Sequence, residues 1–324
     1  MTVRKNINQK LIQLKPLWIV LLVLLTIALL CTPSFAAVYT ALQNWIEYAL
    51  DEILTGTLDN PVLEFFETPI YNNSTFINAW LLVTKVYKNI VKPIAIAIVG
   101  ITFVVKIVQM TMDIHMVTFE RLFTPFVYLV GSTFLIANTW TILKYIIRFG
   151  AAFASGVAEY VEATLGDSPD ELISSLMPNW EENPLGGFAA ALLLCLELLL
   201  PFLIWWLGNM LLKVIAWGVL LELVLRSLLF PLFVCDFQMH GFEGQGMRQL
   251  KGLLACSCTG AVLIAISGIQ SALVLGVLQE GFTTAAEGTT TFAIVGVGQI
   301  IIIMFACITI MGKATSLVRE AFGA

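Results

Sequence analysis

Charge is scarce in this chain: 12% of its 324 residues are Asp, Glu, Lys or Arg, while 59% are hydrophobic. A water-soluble domain carries roughly 25% charged residues, and a smaller share leaves too little polar surface to cover a globular core. Histidine is almost missing, with only His115 and His240 present, which argues against a histidine-rich metal centre. The six cysteines (Cys31, Cys195, Cys235, Cys256, Cys258 and Cys307) form no CxxC pair and lie in or beside apolar runs, where they read as small packing residues. Cys256 and Cys258, two apart, would point to different faces of a helix. There is no HExxH, no GxSxG and no Walker A lysine loop. The nearest approach, Gly241-Phe242-Glu243-Gly244-Gln245-Gly246, has no strand before it and no Lys-Ser/Thr after it, so it reads as a flexible connector. No enzymatic activity and no cofactor or metal are expected, and any work of transport must draw its energy from another protein.

What is present is apolar length. Mean hydropathy is +0.90, and several runs reach the ~20 residues that carry a helix across a hydrocarbon core. Strand-like alternation is absent, so helices must satisfy the backbone in lipid. The expected fold is all-α: a polytopic transmembrane helical bundle of five to six spans behind an amino-terminal signal peptide. That signal is read over residues 1–36. Arg4, Lys5, Lys10 and Lys15 precede an apolar run from Leu17 to Leu30, and Ser34-Phe35-Ala36 fits a small-x-small cleavage site, with the cut between Ala36 and Ala37. An uncleaved anchor is the alternative. Cleavage would leave the mature amino terminus outside the cytoplasm. Beyond residue 36 the chain holds 13 basic against 22 acidic residues, a balance opposed to a broad nucleic-acid-binding face.

Residues 37–90 read as an extracytoplasmic amphipathic region. Trp45, Ile46, Ala49, Leu50 and Ile53 recur at helical spacing, with Glu47, Asp51 and Glu52 on other faces, which predicts a short helix on the outer membrane surface. Residues 91–149 hold a first pair of spans, the first over 91–112 and the second over Leu122–Ile147. Residues 150–186 carry seven acids and no Lys or Arg, as expected of an extracytoplasmic loop. Residues 187–324 form a carboxy-terminal transmembrane region with clear spans at Leu253–Leu278 and Thr291–Gly312. The run Gly187–Cys235 would measure roughly 70 Å as one helix, over twice the hydrocarbon thickness, which predicts a break at Gly208-Asn209. Trp205 and Trp206 suit a headgroup boundary just before it. Counting one full span in this run gives five in all and a cytoplasmic carboxyl terminus, with Arg248, Lys251, Lys313 and Arg319 inside. Counting two reverses that. Lys85, Lys88 and Lys92 offend the positive-inside rule either way.

Four ionisable residues fall inside the 187–235 run: Glu197, Lys213, Glu222 and Arg226. Such groups face a bundle interior or an aqueous cavity rather than lipid. Glu222 precedes Arg226 by four, the better order for a helical ion pair. They are candidates for a structural pair or for a channel lining. Small residues at Gly150-Ala151-Ala152, Ala154-Ser155-Gly156 and Gly296-x-Gly298 permit close helix approach.

Two stretches carry a resemblance. Ile90-Val91-Lys92-Pro93-Ile94-Ala95, a span, and then Thr118-Phe119-Glu120-Arg121 form the first. Glu222 to Arg226 and Pro231, followed by Gly244 to Arg248-Gln249-Leu250-Lys251, form the second. Together they resemble the TrbL-like polytopic subunit of type IV secretion systems, in particular the versions from Gram-positive conjugative elements. The resemblance implies a channel or scaffold subunit in the cell membrane. Its implied partners are other type IV secretion membrane subunits, cytoplasmic ATPases and, transiently, the transferred DNA–protein substrate, with assembly into a homo- or hetero-oligomer. The acidic 150–186 stretch departs from direct DNA contact, since acid repels phosphate. A stand-alone secondary transporter is the alternative function, although that class usually shows paired repeats.

Overall fold

A computed structural model describes residues 35–54, 56, 63–112, 119–165, 184–241, 244–285 and 292–324. Among them there is no strand. The helices are α1 (Phe35–Leu54), a single turn α2 (Glu64–Glu67), α3 (Ile77–Val86), α4 (Lys92–Met112), α5 (Phe119–Leu165), α6 (Pro184–His240), α7 (Gln245–Ala285) and α8 (Phe292–Phe322). Among the described residues five stretches are long and apolar enough to cross a membrane: Ile77–Met112, Phe123–Thr164, Ala191–Gln238, Gln245–Leu278 and Val297–Phe322. The signal-peptide reading of residues 1–34 lies outside the described residues, and Ala36 and Ala37 fall in the first turn of α1.

The first span is longer than its 91–112 core. A π-helical turn, Tyr87–Val91, joins α3 to α4 without interruption. Its cause is next door. Pro93 has no N–H to give to the carbonyl of Asn89 and its ring crowds that carbonyl; widening the preceding turn, with Lys92 N–H bonding back to Tyr87 O, relieves the clash without ending the helix.

The expected break at Gly208-Asn209 does not occur. The 57 residues of α6 form one helix with Pro201 and Pro231 inside it, about 85 Å long at 1.5 Å per residue. Gly208 serves close packing instead: a β-carbon there would come 2.8 Å from Ile308 Cδ1 of α8, and Asn209 is buried. Trp205 also does other work than marking a headgroup boundary. It is buried, stacked on Phe202 with ring centroids 5.6 Å apart.

Two further expectations change. The acidic stretch 150–186 is not all loop, because α5 continues to Leu165 and α6 begins at Pro184. The amphipathic helix α1 does not lay its stripe on lipid. Tyr39, Leu42, Trp45, Ile46, Ala49, Leu50 and Ile53 are buried against Ala191, Leu198, Phe202 and Trp205 of α6, with Val274 and Leu278 of α7 and Ile300 and Met304 of α8. Protein offers that stripe the same apolar contact as lipid would, with closer packing.

α7 is the hub. Over half of its most apolar 18-residue window is buried, against a third or less for the other four spans. It packs tightly on α5, where a β-carbon on Gly150 would fall 2.3 Å from Ser257 O, and on α2, where one on Gly260 would strike the Phe66 ring. Three of its buried hydroxyls bond back to their own helix, Ser257 Oγ to Leu254 O, Thr259 Oγ1 to Ala255 O and Ser267 Oγ to Leu263 O, while the buried Ser271 Oγ has no hydrogen-bond partner among the described residues. Cys256 and Cys258 are both buried, Cys256 toward Val219 of α6 and Cys258 beside Val318 of α8.

Candidate functional site: a charged cluster between three helices

Of the four ionisable residues singled out on α6, the structure joins two. Glu222 Oε1 accepts from Arg226 Nε at 2.7 Å, one helical turn away. The same oxygen accepts from Nη2 of Arg319, near the end of α8. Arg226 also reaches α7, its Nη1 donating to Gln249 Oε1 at 3.1 Å. Gly252 of α7 makes the room. A β-carbon at that position would lie 2.6 Å from Arg226 Nη1, so any other residue there displaces the guanidinium. One carboxylate thus faces two guanidinium groups, and the cluster carries a net charge of about +1, since arginine stays protonated in proteins. Arg319 Nε is buried and has no acceptor among the described residues.

Arg319, Gln249 and Gly252 were not foreseen from the sequence. A signal for Arg319 exists, however. Met311, Ala314 and Val318 continue the buried face of α8 past Gly312, the apparent end of the span, and so carry the helix on to Phe322. Arg319 then belongs to a packed helix rather than to a tail.

Glu197 and Lys213 stand apart. They lie about 37 and 13 Å along α6 from Glu222 at 1.5 Å per residue. Glu197 Oε2 is buried without a hydrogen-bond partner among the described residues. Lys213 is half-buried and forms no hydrogen bond or ion pair among the described residues. The candidates therefore do not line one continuous polar path.

A second polar node sits where α4, α5 and α6 meet. Lys106 Nζ donates to Gln238 O at 3.0 Å and rests 5.0 Å above the Tyr128 ring, while Gln238 Nε2 reaches Pro125 O. Gly241, at φ +60°, turns the chain beside Tyr128, and Asp236 Oδ2 accepts from Gly246 N at 3.0 Å. The glycine-rich connector is thereby pinned at both ends.

Outside the spans, Glu67 of α2 has its carboxyl pKa raised above the ordinary value of 4.5, first by burial and then by the charges of Glu162 and Glu64. Tyr48 of α1, whose hydroxyl donates to Glu52 Oε1 at 3.0 Å, is pushed up to about 12 by burial and by that carboxylate. An apolar groove of about 620 Å³ runs between α5 and α7, lined by Ala152, Gly156, Tyr160, Ala265, Gly268 and Ala272 among others. No metal-binding group of His, Cys, Asp or Glu occurs among the described residues.

Four apolar helices around a fifth, buried one, with a charged cluster held between three of the five, define a polytopic membrane protein. Comparison with known proteins narrows the class. Residues 66–231, just over half of the chain, match the sequence model of the family described as TrbL/VirB6 plasmid conjugal transfer like protein. The chain belongs to that family. The match takes in α3 to α5 and most of α6, including Glu197, Lys213, Glu222 and Arg226. No curated protein and no solved structure matches the chain.

Proposed function

We propose that this protein is a channel or scaffold subunit of a type IV secretion apparatus for conjugative DNA transfer, working beside cytoplasmic ATPases that supply the energy. The observation that carries the reading is the family match across three of the five spans. The bundle interior supports a scaffold rather than a pore through one chain. Ser257, Thr259 and Ser267 of α7 bond back to their own helix, and the four ionisable groups singled out on α6 are either paired or isolated. A passage for a DNA–protein conjugate would then run between copies of this chain or between it and other membrane subunits.

Orientation follows from counting. One continuous α6 makes five spans, so the ends of the bundle lie on opposite sides. The α6–α7 turn and the end of α8 share one side, where Arg248, Lys251, Lys313 and Arg319 sit. The end of α5 and the start of α6 share the other, and the sequence between them has no base. The positive-inside rule puts the first side in the cytoplasm, with the carboxyl terminus, and the amino terminus of α3 outside.

A clean deletion tests the function. Transfer of the mobile element should fall to background and return when the gene is supplied in trans; transfer at wild-type frequency in the deletion strain would end the proposal.

A further inference from the structure

The charge cluster between α6, α7 and α8 is unbalanced, and its surroundings say what restores the balance. Glu222 alone faces Arg226 and Arg319. Two more bases stand close by on the first turns of α7. Lys251 Nζ lies 3.8 Å from the position a β-carbon would take on Gly323, one helical turn beyond Arg319. Arg248 precedes Lys251 by three on the same exposed face. Among the described residues, the other acids near this end of the three helices are engaged or turned aside. Asp236 is bound to the Gly246 amide, and Glu320 is exposed about 100° round α8 from Arg319. An uncompensated positive charge among apolar helices is costly unless a counter-charge is supplied.

The cluster is reachable. The side chains of Arg226 and Arg319 keep 22% and 34% of their surface exposed. Leu225 and Leu229, 60% and 41% exposed on α6, stand three and seven residues beyond Glu222 on the outward side of the helix. An anion that settles here therefore meets guanidinium and ammonium groups on one side and bare leucine on the other. A soluble anion has no use for the leucines. A phospholipid does, with its acyl chains against the leucines and its phosphate against the bases.

We propose that Arg226, Arg319, Lys251 and Arg248 form a binding site for the phosphate group of an anionic membrane phospholipid. That lipid acts as the missing counter-ion and fastens the end of α8 to the start of α7. The site does not depend on the secretion role and can be tested without any transfer assay.

The full-length protein, extracted in a neutral detergent, is titrated separately with phosphatidylglycerol, phosphatidylcholine and inorganic phosphate, and occupancy is read by native mass spectrometry. Phosphatidylglycerol should bind saturably, phosphatidylcholine at least about tenfold more weakly, and inorganic phosphate should neither bind nor displace the lipid. Arg319→Gln should weaken phosphatidylglycerol binding by about tenfold, the equivalent of roughly 1.4 kcal/mol. Lys251→Gln, at an exposed position that a folded protein tolerates, should weaken it several-fold. Equal binding of the two lipids, binding of inorganic phosphate alone, or an unchanged affinity in Lys251→Gln overturns the proposal. So does carbodiimide cross-linking of Lys251 to a carboxylate of another protein in native membranes with no lipid bound, because the counter-ion would then be a partner's acid.

Discussion

Removing the Glu222 carboxylate should cost the protein more than removing either arginine. Glu222→Gln keeps the size and shape of the side chain but takes away the only negative charge between Arg226 and Arg319. Each charge-assisted hydrogen bond to the carboxylate is worth about 1.5–3 kcal/mol, and one oxygen accepts two of them. Exposure of 22% to 34% of these side chains lets solvent and headgroups screen part of that. A net loss of about 2–4 kcal/mol remains, a factor of roughly 30 or more in the ratio of folded to unfolded protein. Arg319→Gln removes one bond and leaves Glu222 paired with Arg226, so it should cost about half as much. The design that isolates the cause is a charge exchange between positions 222 and 226. Were the pair self-contained, the exchanged variant would recover nearly all the lost protein. Because Arg319 also reaches Glu222, the exchange sets a guanidinium against Arg319 and should recover little. Replacing all three with leucine should recover most, since an apolar replacement of a buried ionic group is often neutral. Membrane abundance by immunoblot and thermal stability in detergent would measure this series. Full recovery in the 222/226 exchange, or wild-type abundance of Glu222→Gln, would refute the three-way cluster.

Gly150→Ala should sharply reduce membrane abundance, because its β-carbon would meet the Ser257 carbonyl oxygen and backbone cannot step aside, whereas Gly131→Ala, with nothing within 4 Å, should be neutral in the same immunoblot. Gly252→Ala meets only the tip of Arg226, so it should break the Gln249 bond at a cost of about 1 kcal/mol, seen as a modest drop in detergent thermal stability. Pro93→Ala should let the π turn relax to α-helix, rotating α3 against α4; spin-label distances from position 81 to position 105 that do not change would show that the proline is not the cause. Burial and neighbouring acids raise the Glu67 pKa in the folded protein, so ionising it costs folding energy. The protein should therefore gain stability as pH falls through that raised pKa toward the ordinary carboxylate value, level off below it, and lose this dependence in Glu67→Gln melts.

The sequence makes the number and position of the spans readable because lipid imposes one simple demand, length without charge, and α4, α5, α7 and α8 meet it plainly. It is less legible where a residue has two possible uses. Gly208-Asn209 could end a helix or admit a neighbour, and only the presence of Ile308 beside it decides for packing. Trp45, Ile46 and Leu50 would suit lipid or protein equally, since the amphipathic pattern records an apolar partner without naming it. The i,i+4 spacing of Glu222 and Arg226 is visible along one helix. Arg319, 97 residues from Glu222, is not, because pairing across helices depends on the register of α6 against α8, which no local pattern encodes.

That register has a mechanical consequence. The cluster ties three helices at one level: α6 through Glu222 and Arg226, α7 through Gln249, and α8 through Arg319. At the opposite ends α1 lays its buried stripe on α6 and α7, and α8 joins the same apolar cluster through Ile300 and Met304. Three long helices clamped at two levels, one clamp polar and one apolar, behave as a stiff unit, since sliding any helix would break contacts at both. The second span also packs along α7 at two levels, Gly150 against Ser257 and Val161 against Gly268. Both of the first two spans meet α6 at the Lys106–Gln238–Pro125 node, yet less than a quarter of the most apolar window in each is buried. Their outward surfaces, with Ile101, Val104, Phe126, Val130 and Phe134 exposed, are the larger part of the bundle left for lipid or neighbouring subunits. If substrate passes between subunits, as proposed above, the α6–α7–α8 unit would hold its shape while the outward face of α3–α5 is the surface left for neighbours.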